Sequence, residues 1–526
     1  MLMEDAMKDE QNVASNGVDR RNLMKLSAGV LITTISSKGL FAEPPQEKSR
    51  SSNDSGRATD VVEVGSGYKN EANRASGNGP MDETTKKLVS FVHSFSESQL
   101  TDSINAAVSK VMIDSIASLI SGFEAEPVRI AARIAKMNHC DMKSTVFGYG
   151  VSSSPELAAF ANSCMIRHTD FNDMEPPSGS HSSVMLPGIL AVGEALHSTG
   201  LQIMVATVVG YEILWSVGRS AKRKVQLDGP YEGMATALAC GKLMGLNEDK
   251  LANALSLAIV PHLPMFVSHA GALSHWKGCH SGMGVREGVF AAIMAREGMT
   301  GPAQPFEGRG GLWDTVTGSF DLKIPYTEGR LLIEDMGFKR FPAEGSTQGI
   351  LDQFIPQLRT WAKPEEIESI RVEVPFSTSQ EVGDPPKWDP RNRETADHSY
   401  AYVLSIGMID GDVYLQSFKP ERYLADNRVR ALMSKVTIRP NPEFKDLRKR
   451  ITVRKKSGEV LVKDLYDVRP MSHDDIVAKF NRICTYMHIS DEQRDRALSQ
   501  WSNLRTIRDI AEPISNLARF GKPTPL

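Results

Sequence analysis

Apolar positions recur at helical spacing through most of the chain, with one stretch where the rhythm changes to alternation. Leu88, Phe91, Val92 and Phe95 fall three or four apart, and Val108, Val111, Met112, Ser115 and Leu119 mark a second helix that stops at Gly122. Val128 to Met137 predicts a third. From Pro155 to Arg296 the runs are rich in Ala, Gly, Leu and Met, as in Ala191-Val192-Gly193-Glu194-Ala195-Leu196 and Ala235-Thr236-Ala237-Leu238-Ala239-Cys240-Gly241. Small residues at this spacing let helices approach closely, which predicts a tightly packed all-helical region over 84–334.

After about residue 335 the pattern changes. Ile370, Val372 and Val374 alternate with charged residues, Val436 and Ile438 do the same, and Ile451 to Val462 predicts two strands joined by a turn at Ser457-Gly458. Tyr402 to Met408 is a helical run ended by Asp410-Gly411-Asp412. Residues 335–470 therefore form a smaller α/β region. Helical spacing returns over 471–526, from His473 through Phe480 and from Asp491 to Leu504. The fold class predicted is mostly α with an α+β part.

Composition adds little beyond size. With 526 residues, a net charge of −3 and 24% charged residues, the chain is ordinary for a soluble protein of two or more domains. It has no basic tail or aromatic-basic interleaving, so no nucleic-acid partner is predicted; Lys222-Arg223-Lys224 is the longest basic run. Five scattered cysteines have neither zinc-ligand spacing nor the look of a disulfide framework. Glu307-Gly308-Arg309-Gly310-Gly311 is glycine-rich but does not sit between a strand and a helix. At the N-terminus, Asp19-Arg20-Arg21-Asn22-Leu23-Met24-Lys25 precedes a short apolar run from Leu26 to Ser36. Residues 1–42 thus read as a twin-arginine export signal, predicting a periplasmic or exported protein, with a cytoplasmic location as the alternative. Residues 43–83, poor in anything to bury, read as a flexible linker.

The chemistry concentrates in His168 to His181, where Asp170, Asn172, Asp173 and Glu175 stand between two histidines. Pro176-Pro177 and Ser178-Gly179-Ser180 break any helix there. Apolar helical runs, Leu157 to Ile166 and Val184 to Leu196, flank it. An acid-and-imidazole loop between buried helices suits proton transfer; the alternative is a surface loop with acidic caps.

The residues then resemble a known family. Asp170-Phe171-Asn172-Asp173 with its Pro/Ser/His loop, Gly210-Tyr211-Glu212, Trp276-Lys277-Gly278-Cys279, Thr300-Gly301-Pro302, Phe306-Glu307-Gly308, Phe341-Pro342-Ala343-Glu344 and Ala396-Asp397-His398-Ser399 follow one another as in the MmgE/PrpD family, which includes 2-methylcitrate dehydratase and cis-aconitate decarboxylase. The resemblance runs from about Thr84 to about Leu517. It implies a large helical domain built from the N-terminal part and the C-terminal helices, with a smaller α/β lid inserted between. It also implies a homodimer, no cofactor or metal, and a small di- or tricarboxylate substrate that loses water or carbon dioxide. Such chemistry needs a base for an acidic C–H, an acid for a leaving hydroxyl, and fixed cations for the carboxylates.

Carried over residue by residue, the resemblance implies catalytic roles for Asp170, His181, Lys277 and His280. It implies substrate-binding roles for Asn172, Asp173, Arg340 and His398. Lys277 stands in the motif that supplies the family's active-site lysine. The sequence departs from the pattern in three places. Met174 replaces a usual threonine, the Asp228-Gly229-Pro230 region lacks a histidine, and Glu344 follows Phe341-Pro342-Ala343 where a histidine is expected. These departures weigh against 2-methylcitrate and cis-aconitate themselves as substrates, and leave Glu344 or His280 as a substitute base. Two other readings stay open: a dicarboxylate epimerase or isomerase, and a polycarboxylate-binding protein without chemistry.

Overall fold

The computed structural model describes residues 80–175, 181–222, 227, 229–445, 448–466 and 468–526. The predicted export signal, all but the end of the linker, and the Pro176–Ser180 breaker lie outside the described residues.

The first part is helical, as the apolar spacing predicts. Helices Glu83–Ser94, Asp102–Gly122 and Glu126–Lys136 are followed by Pro155–His168, Leu186–Ala195, Gly200–Ser220, Glu232–Leu243, Glu248–Ile259 and His280–Arg296. Their starts are encoded locally: Asp82, Thr101 and Asn247 each accept a backbone N–H of the first turn, and Thr199 forms a capping box with Gln202. Glycine allows close helix crossings. A Cβ on Gly288 would fall 2.3 Å from the Gly233 carbonyl oxygen, so Glu232–Leu243 and His280–Arg296 meet backbone to backbone. The C-terminal helices His473–Tyr486, Asp491–Ser502 and Ala511–Asn516 join the same core, through Phe480, Trp501 and Ile514.

A second hydrophobic core gathers residues between Ala343 and Leu465. Strands β3 (Ile367–Val374), β4 (Val436–Pro440), β5 (Lys449–Lys455) and β6 (Val460–Leu465) form one sheet in the order β4-β3-β5-β6. The β5–β6 hairpin turns at Gly458, whose φ of 94° is glycine's territory. β3 and β4 are parallel, so the chain between them must cross over, and it does so through helices that include Tyr400–Asp410 and Asn427–Met433. The protein is thus a large helical domain with a smaller α/β domain. A further hairpin, β1 (Ser144–Val146) with β2 (Val151–Ser153), was not predicted: three residues a side are too few to show alternation.

Candidate functional site

A cavity of about 880 Å³ opens among the end of helix Pro155–His168, the 266–281 segment and the start of the smaller domain. Asp170, His181, His280 and His398 line it, together with Arg167, His269 and Lys339.

Asp170 is placed by the way its helix ends. After His168 the backbone enters the left-handed region at Asp170, φ 52°, where a helix terminus ordinarily uses glycine. A side chain there costs about 1 kcal/mol, so the carboxylate itself accounts for the choice. It is buried and meets three cations. Arg167, one turn back, donates to Oδ1; Lys339 Nζ lies 3.0 Å from Oδ2 and Lys277 Nζ 3.8 Å from Oδ1. Burial alone would raise its pKa, but Lys277, Lys339 and Arg167 together hold the carboxyl well below the usual range. Burial lowers the Lys339 ammonium, with Asp170 opposing.

Lys277 lies on a single 3-10 turn, His275–Gly278, just ahead of helix His280–Arg296. Its side chain is fully buried between two carboxylates, 3.3 and 3.4 Å from the Asp397 oxygens and 3.8 Å from Asp170. It stands behind the Asp170 wall, whereas Lys339 and Arg167 reach the cavity. Backbone bonds tie this segment to the smaller domain. Gly271 N–H donates to Asp384 and the Gly271 carbonyl accepts from Lys387; Leu273 N–H donates to Thr395 and its carbonyl accepts from Asn392.

The histidines are held in defined states. His398 Nδ1 is 2.7 Å from Asp397 Oδ1; a carboxylate only accepts, so the proton sits on Nδ1 and Nε2 keeps its lone pair. Burial first, then the Lys277 ammonium, pushes His398 down to about 3. His181 Nδ1 is 2.6 Å from the Asp173 carbonyl oxygen, which fixes the same tautomer. Its Nε2 lies 3.8 Å from Asp170, and burial with the Arg167 and Lys339 charges lowers it well below the ordinary value. His269 sits between His280 and His398, with ring centroids 5.4 and 5.8 Å away. The cavity therefore carries two neutral imidazoles with Nε2 lone pairs beside the Arg167 and Lys339 cations, while Asp170, Glu175, Glu232, Glu344 and Glu381 also line it.

Of the remaining predicted residues, Asn172, Asp173 and Arg340 fall behind or outside this wall. Asn172 donates to Ser183, and the Asp173 carboxylate accepts from Ser183 N–H and from Tyr211 Oη at 2.8 Å, so both shape the loop. Burial pushes Asp173 up to about 6. Arg340 turns away from the cavity, to Asp475 at 3.0 Å and the Pro470 carbonyl at 3.1 Å; the cation at this point of the wall is its neighbour Lys339. His398, expected as a substrate contact, is also half of a carboxylate–imidazole pair. Glu344 lines the cavity, and both its oxygens are engaged by Ser346 N–H and Oγ.

Sequence reasoning missed Arg167, His269, Lys339 and the role of Asp397. One signal was available for His269: His262, His269, His275 and His280 put four of the twelve histidines in a single short stretch. Met174, Gly229, Pro230 and Glu344, at the three departures from the family pattern, all line this one cavity.

Comparison with known proteins places the chain in context. The model of the MmgE/PrpD N-terminal domain matches residues 86–325, and that of the MmgE/PrpD C-terminal domain matches residues 341–504. Cis-aconitate decarboxylase of Homo sapiens is 26% identical over 462 residues, covering 81% of this chain and 93% of the relative. The Mus musculus protein of the same name is 25% identical, covering 77% and 88%. 2-Methylcitrate dehydratase of Salmonella typhi is 25% identical over 310 residues, covering 55% and 64%.

Proposed function

The chain belongs to the MmgE/PrpD family, and from that premise we propose that it is a lyase-type enzyme acting on a small di- or tricarboxylate by proton transfer at a carbon next to a carboxylate. The observation that carries this reading is the His398–Asp397 pair on a cavity wall that also holds Lys339 and Arg167. The cations bind substrate carboxylates. His398 Nε2 takes the C–H proton, and Asp397 stabilises the imidazolium that results. The electron pair left on carbon spreads into the adjacent carboxylate, where the same cations stabilise it. In a dehydration that pair expels hydroxide, which takes the proton from the His398 imidazolium and leaves as water. In a decarboxylation no C–H proton is removed: the C–C bond breaks, carbon dioxide leaves with its carbon, and the electron pair left behind takes a proton from the Lys339 ammonium.

The departures at Met174, Gly229, Pro230 and Glu344 support a substrate different from those of the named relatives. They also favour the second reading, a polycarboxylate-binding protein without turnover. Incubating the protein with a panel of di- and tricarboxylates in D₂O, followed by proton NMR, separates the outcomes. Alkene formation or C–H exchange that disappears in His398→Asn, or carbon dioxide loss that disappears in Lys339→Met, supports the enzyme. Exchange without net product marks an epimerase, and binding without exchange marks the binder.

A homodimer is part of the proposal. Val260, Leu263, Met265, Val267 and Trp276 are exposed along one segment beside the site, apolar surface of the kind a second copy covers; light scattering at rising concentration tests it. Export through the twin-arginine route rests on Arg20-Arg21 and the run after it, and cell fractionation of an Arg20→Lys/Arg21→Lys variant tests that.

A further inference from the structure

Lys479 on helix His473–Tyr486 is buried, and nothing in the proton-transfer scheme uses it. Its Nζ lies 2.6 Å from Asp114 Oδ1, on helix Asp102–Gly122, and 4.1 Å over the ring of Phe171. The same ammonium donates to the Phe171 carbonyl, 308 positions earlier in the chain. A buried ion pair stabilises no better than well-packed apolar residues of the same volume. What this pair supplies that methionine and leucine would not is a directed hydrogen bond onto one peptide group.

That peptide group opens the loop that sets His181. Two residues on, the Asp173 carbonyl accepts the His181 Nδ1–H, while the Asp173 side chain is fastened by Ser183 and Tyr211. Phe171–Asp173 is thus pinned at both ends, immediately after the left-handed residue Asp170. Without the Lys479 anchor, the buried Phe171 carbonyl loses its charged donor, and the peptide groups between Asp170 and Asp173 are left to the packing of the Phe171 ring and, from the far side, to Ser183, Tyr211 and the Met174–Gly337 bridge.

We infer that Lys479 and Asp114 are positioning residues for His181: the C-terminal helix, through the Phe171 carbonyl, fixes the loop that keeps the proton on Nδ1 and leaves Nε2 as a second proton acceptor on the cavity wall. This rests on the reading of His181 as a proton-transfer group.

The test is the His181 tautomer in ¹⁵N-histidine-labelled full-length protein, with the signal assigned by its loss in His181→Gln. Wild type should show the Nδ1–H form. Asp114→Asn/Lys479→Met removes both charges together and should admit the Nε2–H form. With a turned-over substrate, kcat should fall by on the order of 10²-fold while KM stays within about twofold. A folded double variant that keeps the wild-type tautomer overturns the inference. Should that variant not fold, Lys479→Arg keeps the charge but displaces the donor; a tautomer shift supports the inference and an unchanged tautomer overturns it. The tautomer needs no substrate, so a shift in a protein with no turnover refutes the lyase reading and leaves the positioning role standing.

Discussion

Lys277 and Asp397 form an ion pair with no solvent contact, Nζ to Oδ1 3.3 Å, and a second carboxylate, Asp170, stands 3.8 Å from the same ammonium. One cation therefore keeps two buried anions from facing each other. Lys277→Met should cost about 3–5 kcal/mol, chiefly by leaving Asp397 without its ammonium, since Arg167 and Lys339 still face Asp170. Lys277→Met/Asp397→Asn should recover part of that. Urea denaturation of the two variants checks it, and equal stabilities would mean that Lys277 does not neutralise Asp397. Any loss of turnover in Lys277→Ala must be read against this, because the residue holds the wall from behind and does not itself reach the cavity.

His398→Asn keeps a donor for Asp397 and removes the Nε2 base. We expect turnover to fall by roughly 10²–10⁴-fold with folding intact, the usual contribution of a general base. Circular dichroism and steady-state rates on the same preparation decide it; wild-type rates would move the base to His181.

Much of the fold is legible in the sequence because period is a local property. The alternation at Ile370, Val372 and Val374 lies on β3, and the Ser457-Gly458 turn joins β5 to β6. Parts of the site are legible for the same reason: Asp170, His181, Lys277, His280 and His398 sit in recognisable motifs, and the structure brings them around one cavity or directly behind its wall. What stays hidden is pairing. Asp397 earns its place by touching Lys277, 120 positions away, and no periodicity reports that. Choosing Arg340 over Lys339 is a one-residue error that only the direction of two adjacent side chains resolves.

That choice makes a prediction of its own. Arg340→Ala removes the contacts with Asp475 and the Pro470 carbonyl, partly exposed, and should lower stability by no more than about 1 kcal/mol with turnover preserved. Lys339→Met should weaken carboxylate binding, with KM raised on the order of tenfold or more, since charge-assisted bonds to a carboxylate are strong. Matching KM values for the two variants would return the substrate contact to Arg340.

Acid should destabilise the protein from a pH where its carboxylates are still ionised. His398 is held near 3 against an ordinary 6.5, and His181 is depressed in the same direction. Their contribution is complete above about 6.5 and is lost as pH falls toward the folded values, at about 1.4 kcal/mol per pH unit for each group inside its window. Asp173, raised to about 6 from 3.8, acts oppositely, its contribution present at low pH and lost as pH rises through 6. His168 is depressed by burial like the other two, whereas Asp114, Glu194 and Glu212 are raised like Asp173; the larger displacement of the three buried histidines sets the sign, so unfolding free energy should be lower at pH 5 than at pH 7. His398→Asn should narrow that gap; an undiminished gap would show that His398 is not the group protonated.

Gly271 and Leu273 each offer both backbone groups to the smaller domain, and Lys277 follows four residues later. Were the strand-bearing half to swing outward, these stitches would drag the lysine's own tether along, stripping Asp170 of one of its counter-charges. An enzyme standing ajar would thus be disarmed, and only the shut form would carry its full complement of charge.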